Sequence, residues 1–137
     1  MTITFADLIP LLPLLIATLT VVLVMSAIAI KRNYVIAYGI TTFGLIVAAS
    51  ISFYLMPSAE HQITPLLIVD SYSLFFTGVV CLSAAGISVL SFPYFSDLQD
   101  NKEEYFLLLG IATIGSIVLV SSNHFVSMII GIETLSM

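Results

Sequence analysis

Two titratable residues, His124 and Glu133, stand nine positions apart near the end of the chain, and Glu133 lies inside the apolar run 125–137. A carboxylate in such a run is costly if it faces lipid, so it is expected to face a protein interior or a water path. Burial disfavours its charged form, while a nearby Lys or Arg favours it. Held between those influences, a glutamate changes protonation when a partner moves, which is what a proton-relay station requires. The other reading is a structural glutamate hydrogen-bonded within a bundle. Counted from Phe125, Glu133 lies eight residues into the run, roughly 12 Å deep as helix. Histidine is the side chain that titrates near neutrality, but nine helical residues turn His124 about 180° away from Glu133 and over ~13 Å from it. A direct dyad is not expected. His124 reads as a cap on the turn before the run, with proton handling at a surface opening as the alternative.

The remaining polar groups offer less. Asp97, Asp100, Glu103 and Glu104 read as a solvated loop leading into a negatively charged helix start, in preference to a partner-docking face. His61, beside Glu60 in a loop, is expected to be solvated. Cys81 is alone in an apolar stretch, so it forms no internal disulfide and no metal cluster, and is expected to be a small packing residue. There is no nucleophile paired with a base, no metal-ligand spacing and no phosphate-cradling glycine loop. Catalysis of the soluble-enzyme kind is not expected.

The elements that would position Glu133 follow from composition. The chain has 137 residues, 60% hydrophobic and 8% charged, with a mean hydropathy of +1.19. A soluble domain is about 45–50% apolar and about 25% charged, so this chain is expected in a lipid bilayer. Its net charge of −5 sets eight acids against three bases, Lys31, Arg32 and Lys102. Without a basic patch, nucleic acid is not an expected partner. A cleaved signal peptide is not expected either: the first eight residues carry Asp7 and no Lys or Arg, and the next apolar run exceeds the usual ~7–15 residues.

The fold expected is an all-α, polytopic transmembrane helix bundle of four full spans and the start of a fifth. The spans are placed at about 9–30, 34–56, 73–92 and 105–122, with an incomplete fifth at 125–137, and no soluble domain. Pro10 and Pro13 suit the opening of the first span, whose length as helix reaches roughly 33 Å against a hydrocarbon core of about 30 Å. Lys31-Arg32-Asn33 makes a tight turn. Tyr34 and Tyr38 near one end of the second span, and Phe53 and Tyr54 near the other, fit an interfacial aromatic belt. A loop, Pro57 to Val69, follows, then a helix start at Asp70 with Ser71 and Ser73. Pro93 is expected to end the third span, and Asp100 to Glu103 has the spacing of a capping box for the fourth. Small residues, among them Gly78, Ala84, Ala85, Gly86, Ala112 and Ser116, read as helix packing or, alternatively, partner contact.

Alternating spans put the 31–33 turn and the 93–104 loop on one side, and these hold all three basic residues. The positive-inside rule then places that side in the cytoplasm and the N-terminus outside. The last run, roughly 20 Å as helix, is too short to cross, and a helix ending in mid-bilayer leaves carbonyls unpaired. Residues 1–137 are therefore expected to be a single membrane-embedded fragment of a longer protein.

Several stretches resemble the N subunits of bacterial NADH:quinone oxidoreductase, the respiratory complex I. They are Met1-Thr2-Ile3-Thr4 leading into Leu8-Ile9-Pro10-Leu11-Leu12-Pro13-Leu14-Leu15-Ile16, Val69-Asp70-Ser71-Tyr72 running into Phe76-Thr77-Gly78, and Asp100-Asn101-Lys102-Glu103-Glu104-Tyr105-Phe106-Leu107-Leu108. Ser122-Asn123-His124 and Gly131-Ile132-Glu133 complete the set. The likeness covers essentially the whole chain and favours this subunit over its antiporter-like sisters. It implies the N-terminal part of a subunit of about fourteen membrane helices with two inverted five-helix repeats, coupling electron transfer elsewhere in the complex to proton pumping. Glu133 would match the fifth-helix glutamate that pairs with a lysine of a later helix. That lysine, the further relay lysines and the broken helices have no counterpart here, and Thr134 replaces a usual aliphatic residue.

The resemblance implies an enzyme subunit, part of a proton-translocating quinone reductase, with no redox site in this chain. NADH, FMN, iron–sulfur clusters and quinone would serve the whole complex and none would be bound here. The partners implied are the other membrane subunits and the lipid bilayer. The location implied is the bacterial inner membrane, multi-pass, with the N-terminus periplasmic. The alternatives are a related subunit of a cation/proton antiporter or membrane-bound hydrogenase, and a small non-enzymatic four-helix membrane protein.

Overall fold

The computed structural model describes residues 9–55, 60–62, 68–97 and 102–136. A 3-10 turn, Ile9–Leu11, leads into helix α1, Leu12–Ile30. Helix α2 spans Tyr34–Leu55, and strands β1, Glu60–Gln62, and β2, Ile68–Asp70, follow. Helices α3, Ser71–Ser96, α4, Glu103–Ser121, and α5, Phe125–Ser136, complete the order. Pro13 falls in the first turn of α1, where no intrahelical N–H bond is lost. Each of the first four helices is long and apolar enough to cross a membrane, with mean hydropathies of 2.5, 1.8, 2.0 and 1.9. The chain is an all-α, multi-pass membrane protein by this architecture. Helix α5, with 12 residues, reaches roughly 18 Å.

The main buried cluster of the bundle is rich in small residues, and many large apolar residues lie outside it. That cluster joins Ala17, Leu45, Ala48, Ala49, Cys81, Ala84, Ala85 and Ile117. Leu19, Phe43, Ile87 and Leu90 face outward. Lipid tails are as apolar as leucine, so nothing drives these outer side chains inward, whereas small residues let helix backbones approach. Cys81 is fully buried in that cluster, in the packing role expected for it. Of the small residues expected to pack, Gly78, Ala84 and Ala85 are buried; Gly86 is exposed, with open space where a Cβ would be. Hydroxyls tie the helices together: Thr42 Oγ1 and Ser88 Oγ lie 2.7 Å apart, Ser91 Oγ and Tyr105 Oη 2.9 Å, and Ser52 Oγ donates to the Leu74 carbonyl.

Several local expectations are revised. The segment between α2 and α3 is not wholly a loop: β1 and β2 pair antiparallel, with Glu60 opposite Asp70, His61 opposite Val69 and Gln62 opposite Ile68. Asp70 therefore belongs to a strand, and α3 begins at Ser71. The side chains of Glu60, His61 and Asp70 lie outside the described residues, as do Met56, Asp100 and Met137. Pro93 does not end α3, which continues to Ser96. A proline removes one ladder bond and disfavours helix at the residue before it. Here the preceding Phe92 is held by stacking on Tyr34 and Tyr38, with ring centroids 5.0 and 4.3 Å away. Those tyrosines are half-buried in the bundle, not standing in a lipid-facing belt; Tyr54 at the other end is exposed.

The 31–33 turn falls where expected. Asn33 caps α2, its Oδ1 accepting from the Val35 N–H at 3.0 Å. This turn meets the start of α4. Arg32 Nη1 is 3.6 Å from Glu103 Oε1, and Nη2 is 3.6 Å from Glu104 Oε1. Lys102 Nζ lies 4.5 Å from the Tyr34 ring centroid and donates to the Ser96 carbonyl at 3.2 Å. The turn and the α4 start thus share one end of the bundle. No capping box forms at Glu103: it is the first residue of α4, Lys102 holds the N-cap without a side-chain bond, and the Glu103 carboxylate is turned to Arg32.

Candidate functional site

Helices α4 and α5 form a hairpin across a short turn, 122–124. Ser122 Oγ donates to the Leu119 carbonyl at 2.8 Å, closing α4. His124 opens α5: its Nδ1 accepts from the Val126 N–H at 3.3 Å, and its carbonyl accepts from Ser127 Oγ at 2.8 Å and the Met128 N–H at 3.1 Å. The first of these bonds satisfies a donor that a helix start otherwise leaves free. His124 has the geometry of a cap, and Nδ1 works as an acceptor there.

The buried residues of α5 are Ser127 and Gly131, one turn apart. At Gly131 the helix touches α4 backbone to backbone. A Cβ at Gly131 would lie 3.0 Å from Leu119 N and 3.2 Å from Gly115 O, and one at Gly115 would lie 2.7 Å from Leu135 N and 3.1 Å from Gly131 O. Gly115 did not stand out in the sequence, and Gly131 did so only within the Gly131-Ile132-Glu133 likeness; the Ser127-x-x-x-Gly131 spacing is the signal that marks this seam.

Glu133 follows Gly131 by two residues, about 200° around the helix. It is exposed, on the side of α5 turned away from α4, with Ile129, Ile130 and Ile132 also exposed. Among the described residues no ion pair or side-chain hydrogen bond reaches its carboxylate. The hydrogen-bonded structural role is therefore not what these residues provide. The structure does not bring Glu133 and His124 together either; nine residues of helix put them on opposite faces. The basic residues gather at the far end of α4, whose 19 residues span roughly 28 Å.

The described members of the acidic cluster do not form one face. Glu103 is buried against Arg32, Glu104 is half-exposed beside the same guanidinium, and Asp97 is exposed. A groove of about 260 Å³ runs between α3 and α4, lined by Val79, Ser83, Ile87, Leu109, Thr113 and Ser116. Its hydroxyls bond their own helix carbonyls, Ser83 to Val79, Thr113 to Leu109 and Ser116 to Ala112, so it offers an apolar surface. Among the described residues, what remains for chemistry is the Glu133 carboxylate, exposed on the apolar outer face of α5. No protein-family model matches the chain.

Proposed function

We propose that this chain is the N-terminal part of a proton-translocating membrane subunit of NADH:quinone oxidoreductase, with Glu133 a station in its proton relay. The observation that carries the reading is the outward setting of Glu133. An acid in an apolar helix is expensive on a lipid-facing surface. It is tolerated where a neighbouring element supplies a cation or a water path. In an apolar setting a nearby cation and a bound proton are alternative ways to offset the charge of such an acid. Movement of the counter-charge thus becomes proton uptake and release. His124, engaged as a cap, lies outside this relay.

In this reading the electron carriers, NADH, FMN, iron–sulfur clusters and quinone, are handled by partner subunits. Neighbouring membrane subunits or further helices cover α5. The clustering of Arg32 and Lys102 at one end of the bundle, with Lys31 in the same turn, supports a cytoplasmic location for that end and a periplasmic N-terminus in the inner membrane.

The test is Glu133→Gln, with Glu133→Asp beside it, in the full-length subunit within the assembled complex. NADH-driven acidification of inverted membrane vesicles should fall several-fold in the Gln variant and partly recover in the Asp variant, with assembly intact. Normal acidification in Glu133→Gln would sink the relay. Lost assembly would return the residue to a structural role.

A further inference from the structure

Helix α5 is short and packs chiefly on α4, so its rotation about its own axis is set by that one interface. Only Ser127 and Gly131 of this helix are buried. Ser127 is tied to the His124 carbonyl, which leaves the Gly131 crossing as the tight contact along the rest of the helix. The crossing is reciprocal. The atoms nearest a Cβ at Gly131 are Leu119 N, Leu119 Cα and Gly115 O, and those nearest a Cβ at Gly115 are Leu135 N, Gly131 O and Leu135 Cα. All six are backbone atoms. A side chain could swing aside, as the Phe53 ring near Gly78 could, but a helix backbone yields only by moving the helix.

We propose that Gly131, seated on Gly115, is a positioning residue that sets the rotation of α5 and thereby the direction in which Glu133 faces. The proposal rests on the relay reading of Glu133. Each helical residue turns about 100°, so seating Gly131 on α4 sends the carboxylate two residues later to the opposite side. A methyl group at Gly115, 2.7 Å from Leu135 N, forces α5 to lift or to roll, and one at Gly131, 3.0 Å from Leu119 N, makes the two backbones part by a few tenths of an ångström. The Glu133 carboxylate moves with it, and charge-pair and proton-transfer geometry is sensitive to displacements of about 1 Å.

The experiment uses the full-length subunit in the assembled complex, with Gly131→Ala, Gly115→Ala, Glu133→Gln and, as a control, Gly86→Ala. The glycine-pair variants should assemble and oxidise NADH, while vesicle acidification falls several-fold and its pH profile departs from wild type. Gly86→Ala should match wild type. Glu133→Gln should be defective alone, and adding Gly131→Ala to it should produce no further loss. Wild-type acidification and pH profile in assembled Gly131→Ala, beside a defective Glu133→Gln, would overturn the positioning role and leave the relay standing. Normal acidification in Glu133→Gln would remove the relay and this inference together. Failure of both glycine-pair variants to assemble would make the crossing a packing contact and overturn the positioning role.

Discussion

Arg32 and Glu103, seventy-one residues apart, meet at 3.6 Å where the turn before α2 meets the first residue of α4. The two ends of this pair are unequal. The Arg32 side chain is 59% exposed, whereas that of Glu103 is 8% exposed. A cation at the surface therefore neutralises a carboxylate held inside the bundle. Glu104, 50% exposed and also 3.6 Å from Arg32, needs no such partner. The contact sits at the first residue of α4, and α4 in turn carries Gly115 and the seat of α5.

Removing the cation should cost more than removing the buried charge. Exposed ion pairs contribute about 0–1 kcal/mol, and breaking a fully buried one costs about 3–5. Arg32→Ala strands the Glu103 carboxylate with one partner lost, so a destabilisation of about 1–2 kcal/mol is expected, between those limits. Glu103→Gln leaves a neutral amide that needs no cation and should cost less. Unfolding by SDS titration from mild detergent micelles measures both, and Glu103→Gln as the worse variant would contradict this account.

Glycines in this bundle should separate by what faces them. At Gly86 a Cβ meets nothing within 4 Å, so Gly86→Ala gains the helix preference of alanine, about 1 kcal/mol. At Gly115 the added methyl meets backbone, and overpacking of that kind costs about 1–3 kcal/mol. The same SDS titration should give the two substitutions opposite signs.

His124 should behave as a cap. Losing a capping side chain costs about 0.5–2 kcal/mol, so His124→Ala should fray the start of α5, and His124→Asn should restore it. Hydrogen exchange at the amides of Val126 to Met128 reads this directly. Proton movement through the subunit should be unaffected in the assembled His124→Asn variant.

How much of this was readable in advance depends on the range of the contact involved. The four spans and the turns at 31–33 and 123–124 are local matters of apolar run length and charge, and the observed helix ends lie within a few residues of those expected. The shared end of the first turn and the 93–104 loop followed from counting spans. What escaped were pairings between distant segments. No periodicity announces that Glu103 is drawn to Arg32, so the residue looked like part of a capping box. Pro93 looked like a helix end because its local cost was visible and the ring stacking of Phe92 on Tyr34 and Tyr38 was not. Strands of three residues are too short for an alternating pattern to emerge. At the site, the identity of Glu133 and its separation from His124 were legible, since helical spacing alone decides them. Its outward direction was not, because that depends on which face of α5 meets α4, and the Gly115–Gly131 crossing is a backbone contact that hydropathy does not encode.

The hydroxyl pair Thr42 and Ser88 tests whether polar contacts hold α2 to α3. Their oxygens are 2.7 Å apart, and Ser88 is fully buried. In water such a bond competes with solvent; in a bilayer the competitor is another protein group, so interhelical hydrogen bonds average only about 0.6 kcal/mol and reach about 1.7. Thr42→Val keeps the shape and removes the hydroxyl, and Ser88→Ala removes the other partner. Each alone should destabilise by about 0.5–1.5 kcal/mol, because it leaves one hydroxyl without its partner. The double variant should cost less than the sum of the singles, with a coupling near about 0.6 kcal/mol in a double-mutant cycle. Strict additivity would mean that small-residue packing along Ala48, Ala49, Ala84 and Ala85, not the hydroxyl pair, holds these helices together.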